Sequence, residues 1–305
     1  MSKKTKSNSN LEHLSGRVIV SHRSETIVED CSLKTYLCKS KKGIGRTICG
    51  DTVLFSPIND NEGIIHSIEP RKSTLTRPDS RGKLKSIAAN IDQIIIVSAI
   101  LPDINFELID RYIVAAKTLQ ITPVILLNKI DLADNTAKYD RDMDIYHNLG
   151  IKVIYTSAKK ENGMESLRNA LSKNISILVG QSGVGKSSLI NKLLPDLDIR
   201  IGEISSYHLE GKHTTTSTNL YHLDCGGDII DSPGVRNFRL WNLSPNEVQA
   251  GFDEILESSS LCKFNNCLHN KEPGCNVRDD INNGNISQRR LDSFHAIIQS
   301  LDLKY

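Results

Sequence analysis

The sequence predicts an α/β fold built on a mostly parallel sheet, preceded by a small all-β barrel and followed by a mainly helical metal-binding domain. Three observations predict it. Residues 15–70 carry five short runs rich in β-branched residues; from residue 89 strand-like and helix-like segments alternate; and three cysteines and a histidine crowd into residues 262–275. The expected parts are a basic disordered arm over residues 1–11, the barrel over 12–70, a basic linker over 71–88, the sheet domain over 89–238 and the metal domain over 239–305.

The opening stretch MSKKTKSNSN is polar and lacks the apolar centre of a secretory signal. The runs GRVIVSH, ETIVED, KTYLCKS, DTVLFSP and GIIHSIEP, separated by turn formers, suit a five-stranded OB-type barrel, and an SH3-like barrel would give similar runs. Tyr36 and Phe55 within them are either stacking platforms or core. RKSTLTRPDSRGKLKS then reads as a linker or long loop. Its Arg71, Lys72, Arg77, Arg81, Lys83 and Lys85 face one acid, Asp79, and Lys39, Lys41, Lys42 and Arg46 make a second basic group. Such groups release counterions when they meet a phosphate backbone, although a solvated loop has the same composition. The net charge of only +2 does not by itself mark a nucleic-acid binder.

IDQIIIVSAI (91–100), PVILLNKIDL (123–132), IKVIYTSA (151–158) and ISILVG (175–180) read as buried strands, with helices at FELIDRYIVAAKTLQI, GMESLRNALSKN and KSSLINKLL between or after them. YHLDCGGDIIDSPG reads as a hairpin ending in a loop. Ser244-Pro245-Asn246-Glu247 is a capping box with proline in the first turn, and a last helix is expected over 287–302. The longest apolar run, IIIVSAIL, is far short of the ~18 residues needed to span a bilayer. A cytoplasmic protein is the expectation. Seven cysteines without secretory context argue against a disulfide framework, and Cys31, Cys38, Cys49 and Cys225 are read as small buried apolar residues.

Gly180-Gln181-Ser182-Gly183-Val184-Gly185-Lys186-Ser187, followed by Ser188, fits G-x-x-x-x-G-K-[ST] between a strand and a helix. The glycines let N–H groups turn towards phosphate oxygens, Lys186 reaches the β- and γ-phosphates, and the Ser187 hydroxyl suits Mg2+. Asn128-Lys129-Ile130-Asp131 ends a strand, where the Asp131 carboxylate can accept from guanine N1–H and the exocyclic amine. The Lys129 stem can lie along the base. Ser157-Ala158-Lys159 completes the pair, with the Ala158 N–H placed for guanine O6.

Asp231-Ser-Pro-Gly234 is placed to organise Mg2+ through water, with the Gly234 N–H towards a γ-phosphate. Gly211-Lys-His213-Thr214-Thr215-Thr216 reads as a loop supplying a threonine to the metal, and spacing favours Thr215. Many GTPases carry a water-orienting glutamine just after D-x-x-G, whereas this chain has Val235. Slow unaided hydrolysis follows, with His213 the nearest group to position water. Cys262-x4-Cys267-x-His269-x5-Cys275 offers a full tetrahedral set for structural zinc, and His295 reads as a packing or surface residue.

The motifs run base-reading first and phosphate-binding second, the reverse of the usual GTPase order. A permuted connection keeps the pocket but sends the chain from the switch directly into the metal domain, so a change at the γ-phosphate is expected to reach that domain.

The barrel, the order NKID then GQSGVGKSSLIN, the GKHTTT and DSPGV segments and the C-x4-C-x-H-x5-C cluster together resemble the ribosome small-subunit-dependent GTPase family over residues 12–303. The resemblance implies a circularly permuted P-loop GTPase domain, binding of GTP and GDP, and hydrolysis stimulated by the small ribosomal subunit late in its assembly, followed by release. It implies contacts with rRNA near the decoding region. Lys212 stands where the family often has arginine. Nothing in the sequence demands more than a monomer. The competing reading is a scaffold that binds rRNA and holds GTP without turnover.

Overall fold

The computed structural model describes residues 13–22, 25–78, 83–195, 218–231 and 243–302. β1 (Leu14–His22), β2 (Glu25–Asp30), β3 (Thr35–Ser40), β4 (Thr52–Pro57) and β5 (Glu62–Ile68) close into a barrel in the order β1-β2-β3-β5-β4 and back to β1. The β3–β5 contact is parallel and the other neighbours are antiparallel. A simple meander would close β5 on β1, whereas here β5 inserts between β3 and β4 and β4 closes on β1, so the barrel is OB-like. Its interior is filled by Val18, Val28, Cys38, Val53 and Ile65 around Tyr36 and Phe55, whose rings sit 5.1 Å apart. Both aromatics are core, not stacking platforms. Cys38 and Cys49 are buried as expected and Cys225 is half-buried, but Cys31 is exposed, in the turn between β2 and β3. That turn is organised by the Asp30 carboxylate, which accepts from the Ser32 and Lys34 N–H groups, so the cysteine there has no apolar surface to join.

The stretch read as a linker contains two strands, β6 (Thr74–Pro78) and β7 (Leu84–Ala89), paired as an antiparallel ribbon. Leu75, Ala88 and Ala89 bury its root, and a register shift between Leu75 and Thr76 interrupts the alternation that would have betrayed a strand. Arg77, Lys83 and Lys85 are exposed. Arg71 instead forms a two-pronged ion pair with the fully buried Asp51, at 2.7 and 2.9 Å.

The sheet domain follows as β8 (Gln93–Ala99), α1 (Phe106–Thr118), β9 (Thr122–Asn128), α2 (Ala137–Asn148), β10 (Lys152–Tyr155), α3 (Met164–Leu171), β11 (Ile175–Val179), α4 (Lys186–Leu193), β12 (Thr218–His222) and β13 (Asp228–Asp231). The order across the sheet is β10-β9-β8-β11-β13-β12, parallel except for β12. All seven residues of β8 are buried, with Ile94 and Ile96 entering one core and Ile95 and Val97 the other. That two-faced burial is why a parallel strand reads as an unbroken apolar run. Antiparallel pairing of β1 with β12 joins barrel and sheet into one eleven-stranded surface. Asn105 caps α1 by accepting from the Leu108 N–H. α2 has no counterpart in the sequence reading, because only Met143 and Tyr146 of its twelve residues are buried.

α5 (Pro245–Gln249), α6 (Asp253–Ser259), α7 (Asn276–Asn282) and α8 (Gln288–Asp302) complete the chain. The Ser244–Glu247 capping box is formed as expected. Val248, Phe252, Phe294 and Ile297 share one core with Ile94 and Ile113. Inside it lies an ionic cluster: Arg290 donates to Asp110 at 2.5 Å and to Glu254 at 2.6 and 3.2 Å, and Tyr146 donates to Asp110 at 2.7 Å. Arg290 is 1% exposed and Asp110 not at all. Arg290→Met strands two carboxylates, one of them fully buried, and is expected to cost about 3–5 kcal/mol of stability, read as a lower chemical-denaturation midpoint. A loss below about 1 kcal/mol would show that the cluster is solvated or replaceable. Among the described residues no helix is long and apolar enough to cross a membrane.

Candidate active site and metal centre

The NKID, SAK, phosphate-loop and DSPG motifs all follow the carboxyl ends of parallel strands, β9, β10, β11 and β13 respectively. This is the sheet edge at which open α/β sheets bind ligands. The loop of residues 180–185 needs its glycines. Gly180 has φ 141°, and a Cβ there would lie 2.1 Å from the Val97 carbonyl; Gly185 has φ 97°, and its Cβ would lie 2.4 Å from Asn128 Nδ2. Val184 anchors the loop in the core beside Leu189. Lys186 opens α4 and donates to the Gly180 and Gln181 carbonyls at 2.7 and 2.6 Å, so its ammonium stands over the loop that precedes it. Ser182, Ser187 and Ser188 are exposed.

Asn128 is 1% exposed and ties three motifs together. Its amide donates to the Val184 carbonyl at 2.9 Å, and its carbonyl accepts from the Thr156 hydroxyl and the Ala158 N–H, both at 3.3 Å. Lys129, in the left-handed region at φ 61°, sends its ammonium across to the Leu101 and Gly183 carbonyls at 2.8 and 2.6 Å. Asp131 accepts from the Ser157 hydroxyl, and this bond holds its carboxyl below the usual carboxylate range. Ser157 is fully buried, so the SAK motif fixes the carboxylate of NKID. Lys159 is exposed at the rim.

Two adjoining clefts result. One of about 470 Å3 is lined by Asn128, Asp131, Ala158 and Lys192; the other, about 500 Å3, by Ser182, Gly183, Lys186 and Ser187; both are bordered by Lys129, Gly185 and Ser188. The carboxylate of Asp131 faces the first and the ammonium side of the phosphate loop faces the second. A nucleotide laid across Lys129 would span both. Asp231 ends β13, the strand beside β11, on the same edge. His213, Thr214, Thr215, Thr216, Gly234 and Val235 lie outside the described residues. No motif around Leu101 signals that its carbonyl steadies Lys129.

The second centre lies among α5, α7 and α8. The donor atoms of Cys262, Cys267, His269 and Cys275 all fall within 4.8 Å of one another. Zn–S bonds of ~2.3 Å in a tetrahedron put sulfurs ~3.8 Å apart; Cys262 and Cys275 Sγ are 3.9 Å apart, and His269 Nδ1 is 3.8 and 3.4 Å from them. Burial keeps His269 neutral by lowering its pKa and raises those of Cys267 and Cys275. Four convergent soft donors in an apolar setting fit zinc, which would hold three thiolates that burial alone disfavours. With Nδ1 turned to the thiols, His269 Nε2 faces Gln249 Oε1 at 3.2 Å, the partner that fixes a ligand imidazole. Glu272 gathers the loop by accepting from the Leu268, Asn270 and Lys271 N–H groups. Gln249 and Glu272 escaped the sequence reading; Gln249 is twenty positions from its histidine. His295 Nε2 donates to the Leu268 carbonyl at 2.8 Å, a role in holding the loop against the last helix.

The profile of the RsgA GTPase family matches residues 68–241. The chain is 45% identical to the small ribosomal subunit biogenesis GTPase RsgA of Saccharophagus degradans, over 94% of this chain and 87% of that protein. It is 44% identical to the protein of the same name from Yersinia pseudotuberculosis, over 94% and 85%. The structure matches the crystal structure of YjeQ from Thermotoga maritima with a TM-score of 0.79 at 30% identity, covering 96% of this chain and 100% of that one. It matches YloQ, described as a circularly permuted GTPase, with a TM-score of 0.77 at 27% identity and 99% of each chain. A profile over more than half of the chain, and relatives this similar along nearly all of it, establish that the chain belongs to the RsgA GTPase family.

Proposed function

We propose that this chain is a GTPase of small-subunit maturation: it binds the small ribosomal subunit through rRNA and hydrolyses GTP to GDP and phosphate. The observation that carries the reading is the meeting of the phosphate loop, NKID and SAK around two joined clefts, in the permuted order of the family. The domain limits given above, with the β6–β7 ribbon lying in the segment 71–88 between barrel and sheet, are part of the proposal.

Guanine enters beside Asp131, whose carboxylate accepts from N1–H and the amine, while Lys129 covers the base and Ala158 N–H turns from its long bond with Asn128 to O6. The N–H groups of residues 180–188 receive the phosphates, and Lys186 exchanges two loop carbonyls for β- and γ-oxygens. Mg2+ would be held by Ser187 and Thr215, with Asp231 acting through water, and when bound it neutralises charge developing on the phosphates. Gly234 N–H contacts the γ-phosphate. His213 positions the attacking water in place of the missing glutamine. Because Tyr36 and Phe55 are core, rRNA is met by exposed side chains such as Lys39, Lys41, Lys42 and Arg46 and by the ribbon, through backbone charge and not base stacking.

The test is steady-state hydrolysis with small subunits, large subunits or neither, and with ATP as control. Stimulation of GTP turnover by small subunits alone is expected. GTP held tightly with no stimulation would favour the scaffold reading, for which Val235 is the motivating feature.

A further inference from the structure

The barrel meets the GTPase sheet along a seam that is short and charged. β1 and β12 pair at Val20 with Asn219 and at Ser21 with Thr218. Asn219 is also the partner of Asp231 across β12 and β13. One rung therefore runs from a barrel strand, through β12, to the aspartate proposed to serve Mg2+.

Three rungs further along the β12–β13 pair, where His222 opposes Asp228 at the end away from Asp231, side chains from four strands form a linked row. Arg17 on β1 donates to Asp228 on β13 at 2.7 Å. The other oxygen of Asp228 meets His222 Nδ1 on β12 at 2.6 Å, and His222 Nε2 meets Glu29 on β2 at 2.7 Å. An imidazole with a carboxylate oxygen on each nitrogen must carry both protons, so the row alternates plus, minus, plus, minus. Bonds to Asp228 and then Glu29 push the histidine up to about 9, which keeps it charged at neutral pH. The carboxylates Asp228 and Glu29 are 14% and 10% exposed in their side chains, while the cations Arg17 and His222 are 42% and 40% exposed. The row is therefore half-shielded, and its order rests on the geometry of its three short bonds more than on a dry setting.

A closed barrel has little internal give, so a partner that shifts it carries β1 along as a body. Of the sheet strands, β12 is the one β1 is paired with, and residue 218 begins it directly after the segment that holds His213 and Thr215. We infer that this seam carries the effect of a polyanionic partner bound at the barrel to the nucleotide edge, with Arg17, Glu29 and His222 as positioning residues for stimulated hydrolysis. The inference rests on the proposed GTPase reading and deepens it. It assigns to the barrel a second task besides binding.

The experiment compares wild type with Glu29→Gln, His222→Gln and His222→Arg, measuring GTP turnover against small-subunit concentration, unstimulated turnover and GTP affinity. The glutamine variants break the alternation; arginine keeps a positive charge between the two carboxylates. The expected result is a stimulated kcat lowered about 5-fold or more, the low end of ordinary coupling between sites. The subunit concentration for half-stimulation, the unstimulated rate and GTP affinity stay at wild-type values, and His222→Arg recovers most of the loss. Wild-type stimulation in the glutamine variants would overturn the inference alone. So would a loss that the unstimulated rate shares, or one that arginine does not relieve, since either marks a merely structural row. A wild-type chain that small subunits fail to stimulate would remove the proposed function, and this inference with it.

Discussion

Asp131→Asn is expected to turn the nucleotide preference from guanine to xanthine. The wild-type carboxylate presents two acceptors and no donor, which matches the N1–H and amine of guanine. Asparagine turns one acceptor into a donor, opposing the amine of guanine but matching the carbonyl that xanthine carries at the same carbon. Sites that read a ligand through buried hydrogen bonds reject the mismatched analogue by on the order of 10⁴-fold, so the swing in relative affinity is expected to approach that size. The surroundings favour a clean exchange. Ser157 already donates to Asp131, and an asparagine carbonyl can keep that bond while its amide faces the base. The measurement is competition of GDP and xanthosine diphosphate against a fluorescent guanine nucleotide. An unchanged preference would mean that the base lies elsewhere than beside Asp131.

The second large effect concerns the metal. The purified chain is expected to carry one zinc, and Cys275→Ser or a strong chelator at neutral pH is expected to remove it and loosen residues 260–276. Zinc binding in small metal folds is worth about 10–16 kcal/mol, as much as the whole stability of a typical domain at about 5–15 kcal/mol. Here the loop also leans on a core of its own, because Cys267 and Cys275 sit with Val277, Phe294 and Ile297. Loss of metal should therefore raise amide exchange around the loop and α7 while α1 and β8, buried in the same core from the other side, keep their protection. Metal content and exchange read out together decide the matter: a native protein free of zinc, or full zinc after Cys275→Ser, would refute the assignment.

What could be read from the sequence follows from how local the governing physics is. The phosphate loop was legible because its glycines, lysine and serine stand in one short run, although the groups that forbid a side chain at Gly180 and Gly185, the Val97 carbonyl and the Asn128 amide, are distant in sequence. β8 and β9 were legible because burial on both faces leaves unbroken apolar runs at their centres, Ile94–Val97 and Val124–Leu127. The four thiol and imidazole donors were legible because their loop is short. The ribbon was hidden by its bulge and its exposed basic tip, and α2 by a composition that suits either a loop or a solvated helix. Asp110 and Arg290 could not have been paired from sequence, since a charged residue on an amphipathic helix reads as solvent-facing until the tertiary partner 180 positions away is known. The same cluster bears on signalling from the switch to the metal domain. α8 is riveted to α1, so any nucleotide-driven movement of that domain has to tilt α1 or break buried charge pairs.

The order of strands across the sheet also sets an order in time during synthesis. The barrel is complete once β5 has been made, closed on itself except at the Val20–Ser21 end of β1, which waits for β12. β8, β9 and β10 come next and can pair with one another, yet the inner edge of β8 waits for β11. In the unpermuted order the phosphate-binding strand would be made first and the base-reading strands would arrive to a ready neighbour. Here the nascent chain leaves β8, with its apolar run Ile94–Val97, unpaired along one side until β11 and the phosphate loop follow, a stretch in which mispairing is the hazard. The nucleotide clefts need Gly185 and Ser188 as well as Asn128 and Asp131. Guanine nucleotide therefore cannot engage both clefts of the growing chain until the central strand is in place, and its capture marks the moment at which the exposed edge has been closed.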